Sequence, residues 1–293
     1  MIGKTRQRRS ARIRKYFDAE VGQLRGLLKW PPPVAGEFEH LRRAPPVDLT
    51  PWIEHSWMVH WNLKDGQSYL QETLPHPNVQ MVLENGVCMV AGICTGKFSR
   101  IIRGRSTVFG IKFQPGGFRP FIKSPVSALL NRTVIARRVL GSQVSELEAA
   151  WVPPISTPEK MIEVCNRFFR ARLPKPDPAV ELATNTVALI LKDPEIKSVD
   201  SLAEHTQIPK RSLQRLFREY VGVNPKWVIR RYRLHELLAQ LDSGKHLDLA
   251  QVALELGYFD QAHLINDFRS VVGHSPRKYA AVERTAAAQT GSR

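Results

Sequence analysis

Residues 254–269 read LELGYFDQAHLINDFR, and this stretch decides how the C-terminal part of the chain folds. Leu264 and Phe268 recur at the spacing of one helix face, whereas Asn266 lies on the opposite side. Asp260 stands directly before this pattern, where its carboxylate can cap the first turn of a helix. The segment therefore predicts a helix that starts just after Asp260, buries one apolar face and leaves a polar face outward.

The same pattern occurs twice. The stretch SLAEHTQIPKRSLQRLFREYVGVNP at 201–225 aligns with QVALELGYFDQAHLINDFRSVVGHSP at 251–276. The matched pairs are Ala203 with Ala253, Leu213 with Leu264, Phe217 with Phe268, Gly222 with Gly273, and Pro225 with Pro276. The offset grows by one at the turn, as a single inserted residue requires. The sequence thus predicts an internal repeat of helix, tight turn and helix.

The second helix of each copy has a polar outer face. In the first copy this face consists of Arg211, Gln214, Arg215 and Arg218. In the second it consists of His263, Asn266 and Ser270, flanked by Ala262 and Arg269, with Gln261 in the first turn near Asp260. Arg can pair with guanine and Gln with adenine in the major groove of DNA. A polar face on an isolated helix is usually only solvated. Two such helices on a chain with 43 Lys and Arg, 27 Asp and Glu and a net charge of +16 favour nucleic-acid binding.

Residues 185–281 resemble the paired helix-turn-helix DNA-binding domain of the AraC/XylS family of bacterial transcription regulators. The second copy, ALELGYFDQAHLINDFRSVVGHSPRKY, carries nearly all of the family's pattern of Ala, Gly-Tyr/Phe, Asp, His/Ser, Phe, Gly and Ser-Pro. The resemblance implies two recognition helices joined by a long helix at about 225–241, placed in neighbouring major-groove segments of DNA. By position, it implies that the bases are read by Arg211, Gln214, Arg215, Gln261, Ala262, His263 and Asn266.

Two departures from the family concern the second copy. Asn266 stands where relatives often have Arg, and Ala280 follows Tyr279 where Arg is common. We therefore expect the second helix to hold DNA more weakly than the first. Phosphate contacts are expected from helix N-termini and from nearby cations. The predicted phosphate-binding residues are Lys210, Arg218, Arg230, Arg231, Lys245 and Arg269.

Strand patterns dominate the N-terminal half. They are WIEHSWMVHWNL from residue 52, VQMVLENG, VCMVAGI and STVFGIKF, with turn signals at Asn85-Gly86 and Pro115-Gly116-Gly117. They predict an antiparallel barrel or sandwich, followed by helices at 124–131 and 158–173. Residues 36–172 also resemble, less specifically, the barrel-like effector domains of such regulators, which implies a small-molecule sensor and often a dimerisation helix.

The predicted fold class is α+β multidomain, with an N-terminal antiparallel β-rich, barrel or cupin-like domain with flanking helices and an all-α C-terminal domain. The expected divisions are a basic arm (1–35), the effector domain (36–172), a proline-rich linker (173–180), the DNA-binding domain (181–282) and a flexible tail (283–293). For the arm we favour a solvated tail, with nonspecific phosphate contacts as the alternative.

Other groups of residues predict no further chemistry. The three cysteines, Cys88, Cys94 and Cys165, match neither a zinc module nor a disulfide framework, and we expect them in the core. The histidines His55, His60 and His76 form no compact metal motif. For Trp52, Trp57, Trp61, Phe109 and Phe113 core packing is favoured, and a ligand pocket is the alternative.

These observations together predict a sequence-specific transcription regulator, activator or repressor, rather than an enzyme, and no cofactor. The alternatives are a nonspecific basic DNA-binding protein and a barrel enzyme with a DNA tether. The expected partner is double-stranded DNA, and RNA polymerase, a small-molecule effector and a second copy in a homodimer stay open. No apolar run reaches the roughly 18 residues of a membrane span, so we expect no membrane partner and a cytoplasmic, nucleoid-associated protein.

Overall fold

The computed structural model describes residues 12–17, 27–28, 36–64, 66–151, 157–243 and 247–281. The strands are β1 (Arg12–Phe17), β2 (Leu27–Leu28), β3 (Gly36–Arg43), β4 (Ile53–Leu63), β5 (Ser68–Thr73), β6 (Gln80–Glu84), β7 (Val87–Ala91), β8 (Phe98–Arg103), β9 (Arg105–Phe113) and β10 (Thr133–Ile135). The helices are α1 (Arg137–Leu140), α2 (Val144–Ala150), α3 (Pro158–Arg170), α4 (Pro178–Lys192), α5 (Val199–Thr206), α6 (Lys210–Leu216), α7 (Pro225–Asp242), α8 (Leu249–Glu255) and α9 (Gln261–Val272), with a further helical turn at 276–281. Strands thus precede helices, as the α+β class predicts.

The strands form two sheets. The larger has the order β1-β3-β4-β9-β6-β7-β10, and the smaller has the order β2-β5-β8. The described pairs are antiparallel except β1 with β3, which is parallel. Asn85 and Gly86 join β6 to β7 with φ of +49° and +76°, the left-handed pair that a two-residue hairpin needs. The predicted turn is therefore present.

The large sheet has two different faces. Phe109, Ile111 and Phe113 alternate along β9 and are buried in the main core, which also contains side chains of α2, α3 and the first helices of the C-terminal half. Val108, on the opposite face of β9, clusters with Trp61 and with Ile102 of the small sheet. The two sheets therefore pack face to face as a sandwich, which agrees with the β-rich domain that the sequence predicts.

Three parts of the N-terminal half differ from the prediction. The segment 124–131 forms only a short 3-10 turn at Val126–Leu129, because the chain is extended at Pro125 and again at Leu130. The strands β3, β5, β8 and β10 were not predicted. Part of the arm, Arg12–Phe17, is a strand paired with β3 rather than a tail, and the rest of the arm up to residue 35 lies outside the described residues except Leu27–Leu28.

The proline-rich segment 173–180 contacts the helical half, and the helix α4 begins inside it, at Pro178. Asp177 caps α4 by accepting from Ala179 N at 2.9 Å, and its other oxygen accepts from the Tyr220 hydroxyl at 2.7 Å. The Thr184 hydroxyl donates to the carbonyl of Pro115 at 2.8 Å. The start of the helical half is thus tied to the sheet domain, and the position of the domain boundary stays a prediction.

Candidate nucleic-acid interface

In both motifs, the chain leaves the first helix through a left-handed residue. Gln207 follows α5 with φ of +55°, and Gly257 follows α8 with φ of +77°. At Gly257 a Cβ would also lie only 2.7 Å from the Cβ of Lys197, so glycine meets both the conformational and the steric requirement. Both turns therefore begin at a left-handed residue, although the residue type differs.

The second helices of the two motifs also end alike. The helix α6 continues into a π-helical turn at Phe217–Val221 and stops at Gly222 with φ of +93°, while α9 stops at Gly273 with φ of +88°. Phe217 and Phe268 are both 0% exposed. The predicted repeat and its helix phase are confirmed.

The helix N-termini of the two motifs differ. Asp260 caps α9, since its carboxylate accepts from His263 N at 2.7 Å, as the sequence predicts. Pro209 precedes α6 and makes no side-chain cap, so its fixed φ alone shapes the entry to this helix. The second recognition helix therefore has the more firmly fixed first turn.

The predicted base-reading residues lie mainly on the surface. Arg211, Gln214 and Arg215 of α6 are exposed, as are Ala262, His263 and Asn266 of α9, whereas Gln261 is half-buried. Of this set, only His263 contacts a neighbouring ring. Its imidazole meets the Tyr258 ring edge-on, with 5.1 Å between the ring centroids. The two outer faces are thus available to a ligand, and their contacts with bases stay a prediction.

The second recognition helix is anchored through Asp267. This carboxylate accepts from the Tyr258 hydroxyl at 2.7 Å and from Arg230 Nε at 3.2 Å. Burial, and then the neighbouring carboxylate, raises the pKa of Tyr258, so the hydroxyl stays a donor. Because Arg230 belongs to α7, this network fixes the angle between α9 and the helix that joins the motifs.

The predicted phosphate-binding residues separate into three groups. Arg218 and Arg269 are exposed. Lys210 and Arg230 are exposed but paired, with Asp200 and Asp267 respectively. Lys245 lies outside the described residues.

Arg231 corrects our prediction. It is 2% exposed, its guanidinium donates to the carbonyl of Thr95, and it lies 4.6 Å from the ring centroid of Trp227. Burial lowers its pKa to about 10. In this structure Arg231 therefore joins α7 to the sheet domain and does not reach a phosphate.

The joining helix α7 depends on a second buried arginine that the sequence analysis missed. Arg233 is 1% exposed, and its Nη2 donates to the carbonyls of Ile190, Asp193 and Ile196 at 3.1, 2.8 and 3.2 Å. Ile190 and Asp193 lie at the C-terminal end of α4 and Ile196 lies in the segment that follows, so Arg233 supplies donors to carbonyls that the helix end leaves exposed. With 18 residues, α7 is about 27 Å long and joins the two motifs.

Other predicted groups can now be placed. Cys88 and Cys165 are buried and Cys94 is half-buried, and burial raises the pKa of the Cys88 thiol to about 12. Within the described ranges, no three residues among His, Cys, Asp and Glu come together as a metal site would require. In the same part of the chain, no helix is long and apolar enough to cross a membrane.

The comparisons with known proteins fall on the two halves separately. A family model described as a helix-turn-helix domain matches residues 202–281, and one described as a domain of unknown function matches residues 41–135. The HTH-type transcriptional activator AarP of Providencia stuartii is 33% identical over 82 residues, which are 28% of this chain and 60% of AarP. An uncharacterized HTH-type transcriptional regulator of Haemophilus influenzae is 26% identical over 98 residues, 33% of either chain.

The chain thus covers less than two thirds of the length of these curated relatives. A solved AraC-type regulator from Chromobacterium violaceum is 25% identical, with a TM-score of 0.30 and coverage of 33% of this chain and 88% of that one. The paired motifs and their matched cores agree with the family model. Residues 202–281 thus form a helix-turn-helix domain similar to that of AraC-type transcription regulators.

Proposed function

We propose that this protein is a sequence-specific DNA-binding transcription regulator that reads two adjacent major-groove segments. The observation that carries the proposal is the pair of helix-turn-helix motifs, each with a buried Phe and an exposed outer face, at the two ends of α7. Recognition helices spaced by about one DNA turn can contact successive major-groove segments on one side of the duplex.

A small-molecule effector site is proposed between the two sheets. Trp57 and Trp61 of β4 share the face of the large sheet that looks toward the small one, and Arg100 lies 5.6 Å from the Trp61 ring centroid. Arg100 pairs there with Glu84, and Lys112 pairs with Glu54 at 2.8 Å. Aromatic walls with a few charged groups suit a small polar ligand.

A surface cleft of about 330 Å³ at one end of the small sheet is lined by Gly66, Gln67, Ser68, Arg103 and Gly104, and we propose it as the entrance for the ligand. The indole of Trp61 donates to the carbonyl of Arg103 at 3.1 Å, so the cleft adjoins the aromatic wall. Phe109 and Phe113, by contrast, lie on the other face of the sheet and belong to the core.

The packing of the two motifs suggests how such a ligand would act on DNA binding. The first motif packs into the core of the large sheet, where Gly222 allows Ile93 and Val126 to approach. The second motif clusters with Leu28 and Leu74, at the small sheet. A ligand that changes the distance between the sheets would therefore change the relative position of the two recognition helices.

The first test is selection of bound sequences from a random DNA pool by the full-length protein. We expect one motif with two half-elements about one DNA turn apart. Enrichment of no sequence, with affinity set by salt alone, would favour a nonspecific basic DNA-binding protein, which the charge of +16 would also permit.

The effector proposal is tested with Arg100→Met. This variant is expected to keep binding to the selected site but to lose the response to any effector found by a thermal-shift screen. Arg105→Met is the matched control, since Arg105 is exposed at the start of β9. Equal responses of both variants would refute the inter-sheet site, and turnover of a ligand by the protein would favour the barrel enzyme with a DNA tether.

A further inference from the structure

The two motifs differ by one residue in the turn before the recognition helix. The left-handed residues Gln207 and Gly257 match each other, and so do Pro209 and Asp260, which precede α6 and α9. In the first motif one residue, Ile208, lies between Gln207 and Pro209. In the second motif two residues, Tyr258 and Phe259, lie between Gly257 and Asp260. The additional residue is Phe259, directly before Asp260.

The two residues of the longer turn have opposite environments. Tyr258 points inward, is 6% exposed, and donates its hydroxyl to Asp267 at 2.7 Å. It takes the place of the half-buried Ile208 in the first motif. Phe259 is 87% exposed, so the inserted residue presents a whole aromatic ring to solvent. Burial of such a ring by a partner stabilises the complex, because it removes apolar surface from water.

The position of Phe259 is at the end of α9 that would meet DNA. The N-terminal residues of a recognition helix contact the base edges in the major groove. The first turn of α9 carries Gln261, the exposed methyl side chain of Ala262, and His263. Phe259 lies two residues before Gln261 and three before Ala262, and both apolar side chains are exposed.

The apolar side chains at the N-terminal end of α9 would favour an apolar group in the major groove of DNA. The C5 methyl group of thymine is the apolar feature of the major groove, and Ala and Phe are among the side chains that contact it. We propose that Phe259 is a specificity-determining residue that packs against the C5 methyl group of a thymine in the segment read by α9. This inference rests on the proposed function and extends it to a recognised chemical group.

The test removes the methyl group and the ring in turn. Each thymine of the selected site is replaced singly by deoxyuridine, which lacks only the C5 methyl. At one position in the half-element of α9, the wild type should bind about three- to fivefold more weakly, the value expected for one buried methyl. Phe259→Ala should bind the thymine duplex more weakly than the wild type, and should bind the thymine and deoxyuridine duplexes equally.

Leu254→Ala is the matched control, because Leu254 is a 62% exposed apolar side chain of the same motif. It should keep both the wild-type affinity and the penalty for deoxyuridine. Thermal melts are expected to coincide for the wild type and both variants, since each replaced side chain is exposed.

Two results would overturn the inference while the proposed function stands. One is a deoxyuridine penalty that persists in Phe259→Ala. The other is wild-type affinity of Phe259→Ala together with loss of transcription activation, which would assign the ring to a protein partner such as RNA polymerase. If the wild type selects no DNA site, the proposed function fails and the inference fails with it.

Discussion

Replacing Phe268 by alanine tests the assignment of faces on which the DNA interface depends. The side chain is 0% exposed and makes an edge contact with Tyr279 at 6.1 Å between ring centroids. Loss of burial costs about 1.5–3 kcal/mol, and loss of the aromatic pair costs about 0.5–1.5 kcal/mol. With the cavity that remains, we expect the free energy of unfolding to fall by roughly 3–5 kcal/mol.

The same loss is expected for Phe217→Ala, because Phe217 occupies the matched position and is equally buried. The assay is urea unfolding followed by circular dichroism and by tryptophan fluorescence. Leu254→Ala serves as the control and should change the free energy of unfolding by less than about 0.5 kcal/mol, as is usual for surface positions. A loss below about 1 kcal/mol at either Phe would refute the reasoning. The outer faces deduced from the same helix phase would then be wrong too.

Three further predictions concern individual side chains. Gln214→Ala or Arg215→Ala should lose roughly 1–3 kcal/mol on the specific site and almost nothing on random DNA, whereas Arg218→Ala should weaken both and lower the salt slope by about one. Equal losses on both DNAs would show that the α6 face contributes charge only. Arg231→Met should leave the dependence of DNA affinity on salt concentration unchanged, because this guanidinium is buried against Thr95. A salt slope lowered by about one would instead show that Arg231 contacts a phosphate. Burial lowers the pKa of His55, so the folded state resists its protonation and the free energy of unfolding should fall as the pH drops below about 6.5. His55→Asn should flatten this pH dependence in urea melts at several pH values. An unchanged dependence on pH would exclude His55 as its source.

The helical half could be predicted well because its signals are local. Leu213 and Phe217, or Leu264 and Phe268, lie within one or two turns of each other, so periodicity alone assigns them to one face. The repeat then provided a second, independent reading of the same pattern. Where the chain turns, Gly257 and Gly222 mark left-handed positions that few other residues adopt, although Gln207 adopts one without such a mark.

The parts that failed depend on contacts between distant residues. The strand β8, FSRIIR, carries arginines that read as surface, yet Arg100 reaches across the sandwich to Glu84. Arg231 shares its helix with the exposed Arg230, and only packing against Thr95, far away in the chain, decides that it is buried. Sequence periodicity gives the direction of a side chain from its helix but not what lies in that direction.

The environments of the cations argue that the two motifs contact DNA by different means. In α6 and the turn that follows, Arg211, Arg215 and Arg218 are exposed, and among the described residues none of them has a carboxylate partner. In α9, Arg269 is the one basic residue apart from His263, and the neighbouring Arg230 is held by Asp267. The first motif can therefore supply most of the charge and the hydrogen bonds to guanine. The second, with its fixed first turn and its exposed ring at Phe259, is suited to recognition by shape and apolar contact.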